Sequence, residues 1–321
     1  MCKFKSAIIL KDSVFIPDYD SHSDMLQELG IKDTEENACR LFVRAELIPK
    51  NDDCKSDVST WEYIVDQDIL PDWYEAGYDE KRMRDAVQDW AKNRIHIGID
   101  DLVISSGKGH IILDCKVKKI CGDAQIRSIQ GNSGVDCISG SAHVECICDS
   151  ACVDKIYGSA DVECISGSAH VEYIYGSVHV DRISGSARVD KIYGSADVEC
   201  ISGSAYVECI YGSVHVECIG GSARVDKICG SAHVECIGDR ARVNQISGSA
   251  HVECICDSAC VDKIYGSADV ECICDSAHIF THSNVGWENK KDVVIKDNAL
   301  LICRKENTIY HSGVWKVVGS K

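Results

Sequence analysis

The chain has 321 residues, 45% of them hydrophobic, and carries a net charge of -17. This length holds two or three domains, each with its own core, and a pI near 5.1 argues against direct nucleic-acid binding, which needs clustered Lys and Arg on phosphate. MCKFKSAIIL is too short an apolar run for a signal peptide and no later stretch approaches eighteen apolar residues, so the expectation is a cytoplasmic protein without membrane contact.

Residues 1–110 show no repeat and read as a small α+β domain. Residues 6–17 predict a strand or hairpin. Ser21 is placed to cap a short helix carrying Met25, Leu26 and Leu29, and residues 40–48 and 61–65 read as strands. After Asp79, the apolar residues Met83, Ala86, Val87, Trp90 and Ala91 keep helical spacing with charges opposite. Two polar clusters stand out: Asp18, Asp20, His22 and Asp24 in DYDSHSD, and Asp66, Asp68 and Asp72 in VDQDILPDW. Carboxylates beside an imidazole serve metal or acid–base chemistry. The same residues also serve as helix caps and turn formers, and no catalytic residue is assigned.

From 120 to 278 a nine-residue phrase repeats without insertion, with Ile at every ninth position from Ile120 to Ile273. Tyr follows that Ile at Tyr157, Tyr175, Tyr193, Tyr211 and Tyr265, always multiples of eighteen apart, so the true unit is roughly IYGSAHVEC followed by ISGSARVDK. Short units poor in helix formers and rich in Val and Ile predict a β-solenoid in which each coil buries its apolar residues against its neighbours. Ile, Ala and Val point inward, and Gly-Ser marks a corner. Gly gives way there to Asp149, Asp257 or Asp275, which predicts a positive φ. A triangular coil of twenty-seven residues would scatter the Tyr column. Two phrases per coil give nine coils, a stack of roughly 43 Å at ~4.8 Å per strand.

The two phrases differ in charge. Between 120 and 278 there are 23 acidic and 10 basic residues; the Tyr-bearing phrases hold 12 and 2 of these, the others 11 and 8. The Tyr-bearing phrases also carry His143, His179, His215, His233 and His251, together with Glu163, Glu199, Glu217 and Glu235. The expectation is one acidic Tyr/His/Glu face, whose stacked carboxylates repel unless screened and whose His residues make it pH-sensitive.

Twenty-one Cys in an odd count, mostly in repeat slots, read as reduced thiols. Three C-x-C pairs, Cys146/Cys148, Cys254/Cys256 and Cys272/Cys274, depart from the spacing of structural zinc sites. No metal site is expected. No nucleotide, hydrolase or zinc-protease motif is present, and no cofactor is expected. After Ile279 the period is lost; VVIKDNALLIC, a turn at 304–307 and TIYHSGVWKVV read as a β cap over residues 279–321, closing an end that would otherwise expose unpaired backbone. The fold class is thus mainly β, a solenoid of about eighteen residues per coil over 111–278, preceded by the α+β domain and followed by the cap.

At VDQDILPDWY, HSDMLQELG and the repeat tract, the sequence resembles proteins of phages, prophages and gut bacteria that join a short N-terminal domain to nonapeptide repeats. A looser architectural similarity is to pentapeptide-repeat proteins, some of which look like duplex DNA to their targets. The resemblance implies no activity and no site residues. The functional expectation is a non-catalytic binding or scaffold protein whose acidic face engages a host or phage protein, including a nucleic-acid-binding one reached by DNA mimicry. Mimicry is limited by charge density, about one net charge per 3.3 Å against one per ~1.7 Å in duplex DNA. Two alternatives remain: an enzyme with a catalytic N-terminal domain, tested at His22 and Asp68, and a structural ruler or self-assembling solenoid.

Overall fold

In the computed structural model the described residues are 5–52, 56–281, 293–303, 308–311 and 314–317. One compact unit comprises the residues up to Ile97 together with Lys108–Ile111; the other comprises Gly98–Gly107 and the residues from Ile112 onward.

The first unit is built on a four-stranded antiparallel sheet. Its strands are β1 (Lys5–Leu10), β2 (Val14–Phe15), β3 (Phe42–Ile48) and β4 (Glu62–Val65), in the order β2-β1-β3-β4. Both faces are covered, so β1 is apolar without alternation. Ala7 and Ile9 pack with Met83 and Val87, and Ile8 packs with Met25, Leu26 and Phe42 on the other side. Met25 and Leu26 belong to helix α1 (His22–Glu28), which Ser21 caps as expected, its hydroxyl accepting from the Asp24 amide. A short second helix, α2 (Glu35–Ala38), follows. Met83 and Val87 belong to α3 (Ala76–Arg94), which starts three residues before Asp79. Asp79 therefore lies in its first turn, buried and paired with Arg82.

The second unit is a β-solenoid of about 11 turns with about 18 residues per coil. Each coil contributes one strand to a 12-stranded sheet and one to a 14-stranded sheet. Pairing between coils is parallel, with like residues in register, such as Val144 on Val162 and Ile147 on Ile165. The interior is the column set predicted from the period: Ala, Val and Ile of successive phrases are almost wholly buried in one continuous core. A buried Val or Ile contributes about 1.5–3 kcal/mol, and the repetition supplies that on both sheets alike.

The corners confirm the positive φ. Gly185 has φ +65°, and a Cβ on it would sit 2.9 Å from the Gly167 amide nitrogen one coil below. Where Asp takes the corner, its φ is also positive: 56° at Asp149, 54° at Asp239, 55° at Asp257 and Asp275. The carboxylate compensates for the strained backbone. Asp239 accepts from the Gly221 amide at 2.7 Å and Asp257 from the Asp239 amide at 3.0 Å.

The solenoid runs further than the repeat tract. On the N-terminal side Leu102–Ile104 pairs in parallel with Lys116–Ile120. On the C-terminal side Leu300–Cys303 pairs in parallel with His278–Thr281, so part of the expected cap is another coil. Ile295, Asp297, Ala299 and Leu301 take the phrase positions of Ile273, Asp275, Ala277 and Ile279, after an insertion of four residues. Thr308–His311 and Val314–Val317 then add antiparallel strands. The turn expected at 304–307 lies outside the described residues.

Candidate functional site

The outward residues of the solenoid follow from a departure from simple alternation. In His143–Ile147 the burial runs half-buried, buried, exposed, half-buried, buried. Val144 and Ile147 both face inward, leaving two consecutive outward positions, Glu145 and Cys146. Each strand of the 12-stranded sheet from His143–Ile147 to Asp269–Ile273 therefore offers a His or Asp, then an acidic residue, then usually Cys.

On that sheet the strands from Gln125–Gln130 to Asp269–Ile273 carry eleven carboxylates against Arg127 and Arg182. The His residues lie among them as bridges between coils. His143 Nδ1 is 2.9 Å from Asp161 and its Nε2 3.2 Å from Glu163. His215 reaches Asp197 at 2.8 Å and Glu235 at 3.1 Å. His233 reaches Glu253 at 3.0 Å, and His251 lies 3.2 Å from Asp269 and 3.3 Å from Glu271. His179 lies 3.1 Å from Asp181 and 3.4 Å from Asp197. Part of the screening that a column of carboxylates requires is thus built in. The hydrogen bond that His215 donates to Asp197 raises the pKa of His215 above its ordinary value.

The Tyr column lies elsewhere than expected. Tyr157, Tyr175 and Tyr193 end the strands Cys152–Gly158, His170–Gly176 and Arg188–Gly194, which belong to the 14-stranded sheet. The reason is the corner's position: the chain turns at Gly-Ser-Ala, after the Tyr, so the residue following Ile closes the preceding strand. The predicted single Tyr/His/Glu face is thus divided. His and Glu share a sheet, and the Tyr residues line the corner leading into it. Tyr157, Tyr175, Tyr193 and Tyr211 stack with centroids 5.0–5.3 Å apart and 8° between planes. Tyr265 stands three coils beyond Tyr211, with Cys229 and Ser247 between them in the column.

On the 14-stranded sheet, the strands from Gly134–Ile138 to Arg242–Ile246 hold six carboxylates and six basic side chains. They neutralise one another locally. Arg188 Nε is 2.8 Å from Asp190 and its guanidinium 3.5 Å from Glu208, while the Lys191 ammonium lies 5.5 Å from the centre of the Tyr173 ring.

Several residues of the two polar clusters are engaged by neighbours within the first unit. Asp20 pairs with buried Lys5 at 2.7 Å, and Asp18 accepts from Arg94 at 3.1 Å and from the Trp90 indole at 3.3 Å. His22 Nδ1 meets Asp66 at 3.3 Å, so Asp66 rather than Asp68 is its acidic partner. Glu46, which sequence reasoning missed, completes a His22/Glu46/Asp66 group. Its place on β3 gives no local sign of the meeting. Burial raises the Glu46 pKa.

The described cysteines from Cys39 to Cys274 are free thiols. Several approach one another between coils: Cys236 and Cys256 at 3.6 Å, Cys254 and Cys274 at 3.7 Å. No helix among the described residues is long and apolar enough to cross a membrane. No protein-family model, curated protein or solved structure matches the chain, so the site stands on its own geometry.

Proposed function

We propose that the protein is a non-catalytic binding scaffold whose 12-stranded sheet engages a basic macromolecular surface. The observation that carries this reading is the charge division between two sheets with a common core: eleven carboxylates against two arginines on one, six against six on the other. A flat parallel sheet repeats its outward side chains every ~4.8 Å, which suits an extended partner contacted at many equal steps. The chemistry of the face selects cationic side chains, and their attraction weakens with salt. Because most of the net charge lies on one sheet, this reading favours one-sided recognition of a basic protein over mimicry of duplex DNA, which is charged all round. A cytoplasmic or phage setting is part of the same proposal and rests on the sequence alone.

The test uses a fluorescent oligolysine peptide as the probe, with affinity measured by anisotropy at low and moderate salt. Replacing Glu163, Glu199, Glu217 and Glu235 by Gln is expected to weaken binding at least tenfold. Neutralising Asp154, Glu172, Asp190 and Glu208 on the other sheet is expected to change it less than threefold. Equal losses from the two sets would overturn the proposal.

A further inference from the structure

The C-terminal end of the acidic sheet gathers thiols in a way the charge argument does not use. Cys254 and Cys272 occupy the same strand position in consecutive coils and pair in register. Cys274 follows the inward Ile273 and sits at the next corner. The Sγ atoms of all three lie within 4.8 Å of one another, and those of Cys254 and Cys274 are 3.7 Å apart. With Zn–S bonds of ~2.3 Å, a tetrahedral site has sulfur–sulfur edges of ~3.8 Å. One edge is therefore already formed. Asp275 Oδ2, 3.4 Å from Cys274 Sγ, places a carboxylate oxygen beside it.

We propose that Cys254, Cys272 and Cys274 form a zinc-binding thiolate site, with Asp275 available as the fourth ligand. The sequence argument against a metal considered C-x-C pairs along one strand; here the close contact is between residues twenty apart, supplied by the stacking of coils. Cys236 and Cys256, 3.6 Å apart, continue the thiol run one coil back. Among the described residues no other three thiols meet this closely; near the other end the residue twenty positions after Cys146 is Ser166, whose hydroxyl lies 4.0 Å from the Cys146 sulfur.

Binding is a proton exchange without redox change: each thiol that becomes a ligand forms a Zn–S bond and releases its proton to solvent. Because each thiol must give up its proton to become a ligand, affinity rises with pH. Serine is compatible with the fold at these positions. The corner position of Cys274 is occupied by Ser166, Ser184 and Ser202 in other coils, and Arg182 stands at the strand position of Cys254.

The experiment titrates the reduced, metal-free full chain with Co2+ under anaerobic conditions, following the thiolate-to-cobalt charge-transfer and tetrahedral d–d bands, and then displaces Co2+ with Zn2+. The bands are expected in the wild-type chain and in Cys146→Ser, and are expected to be lost in Cys272→Ser/Cys274→Ser. Zinc affinity should fall at least tenfold in the single variant Cys254→Ser. Circular dichroism confirms that each variant keeps its β content; should the double variant lose it, Cys254→Ser alone decides. Absence of the bands from the reduced wild-type chain, their retention in the folded double variant, or an equal loss in Cys146→Ser would overturn the site.

Discussion

Val180 to Ile183 on the 12-stranded sheet and Val189 to Ile192 on the 14-stranded sheet are packed alike, with both Val and both Ile residues fully buried. The residues between and around them differ: His179, Asp181 and Arg182 on one side, Arg188, Asp190 and Lys191 on the other. In a solenoid the inward positions are fixed by stacking, whereas each outward column is free to acquire its own chemistry. The charge difference between the sheets therefore costs the core nothing. Function is to be sought where the two sheets differ, stability where they agree.

The largest effects test the agreement. Ile201→Ala on the 12-stranded sheet and Ile192→Ala on the 14-stranded sheet each empty a fully buried site, and each is expected to cost about 2–5 kcal/mol in chemical denaturation. A difference between them well beyond ~1 kcal/mol would break the claim of a common interior. A smaller effect is expected at the corner: Tyr193 stacks on Tyr175 and on Tyr211, with centroids 5.0 Å apart in both pairs, so Tyr193→Ser should lose about 0.5–1.5 kcal/mol of ring pairing beyond its lost burial. Tyr265→Ser, without a Tyr in the adjoining coils of its column, should lose less in the same assay.

The smallest effect is pH-dependent and belongs to the acidic sheet alone. Asp197 raises the pKa of His215 above 6.5, so the stabilisation from protonated His215 is fully present below that ordinary value. It is lost as pH rises through the higher folded-state value. For a largely exposed ion pair the amount is about 0.2–1 kcal/mol. His215→Gln should therefore destabilise the solenoid at about pH 5.5 and have almost no effect at about pH 8.5. An equal effect at both values would show that packing, not charge, is involved. The same protonation lowers the negative charge of the face, so oligolysine affinity should fall as the pH is lowered from about 8.5 to about 5.5.

Most of the solenoid was legible because its period is uninterrupted: the columns of Val, Ile and Ala, the two phrases per coil and the positive φ at Asp149 all follow from the spacing. The extra coils were hidden by substitution and insertion, as Ile295 to Leu301 keeps the inward residues but replaces Gly-Ser with Asp297 and Asn298. Dividing the phrase at Ile groups the Tyr column with His and Glu, whereas the backbone divides it at Gly-Ser-Ala and leaves Tyr on the strands of the other sheet. Contacts between coils were the least legible. The approach of Cys254 to Cys274 depends on the corner's three-dimensional path, and the meeting of His22 with Glu46 and Asp66 depends on how α1 lies against the sheet.

The central claim, that the 12-stranded sheet is the recognition face, is tested most directly by carboxyl footprinting of the wild-type chain with and without bound oligolysine. Modification of Glu163, Glu199, Glu217 and Glu235 is predicted to fall on binding, while Glu172, Asp190, Glu208 and Asp226 on the other sheet remain as reactive as before. Equal protection of the two sets, or protection of the second set alone, would contradict the account.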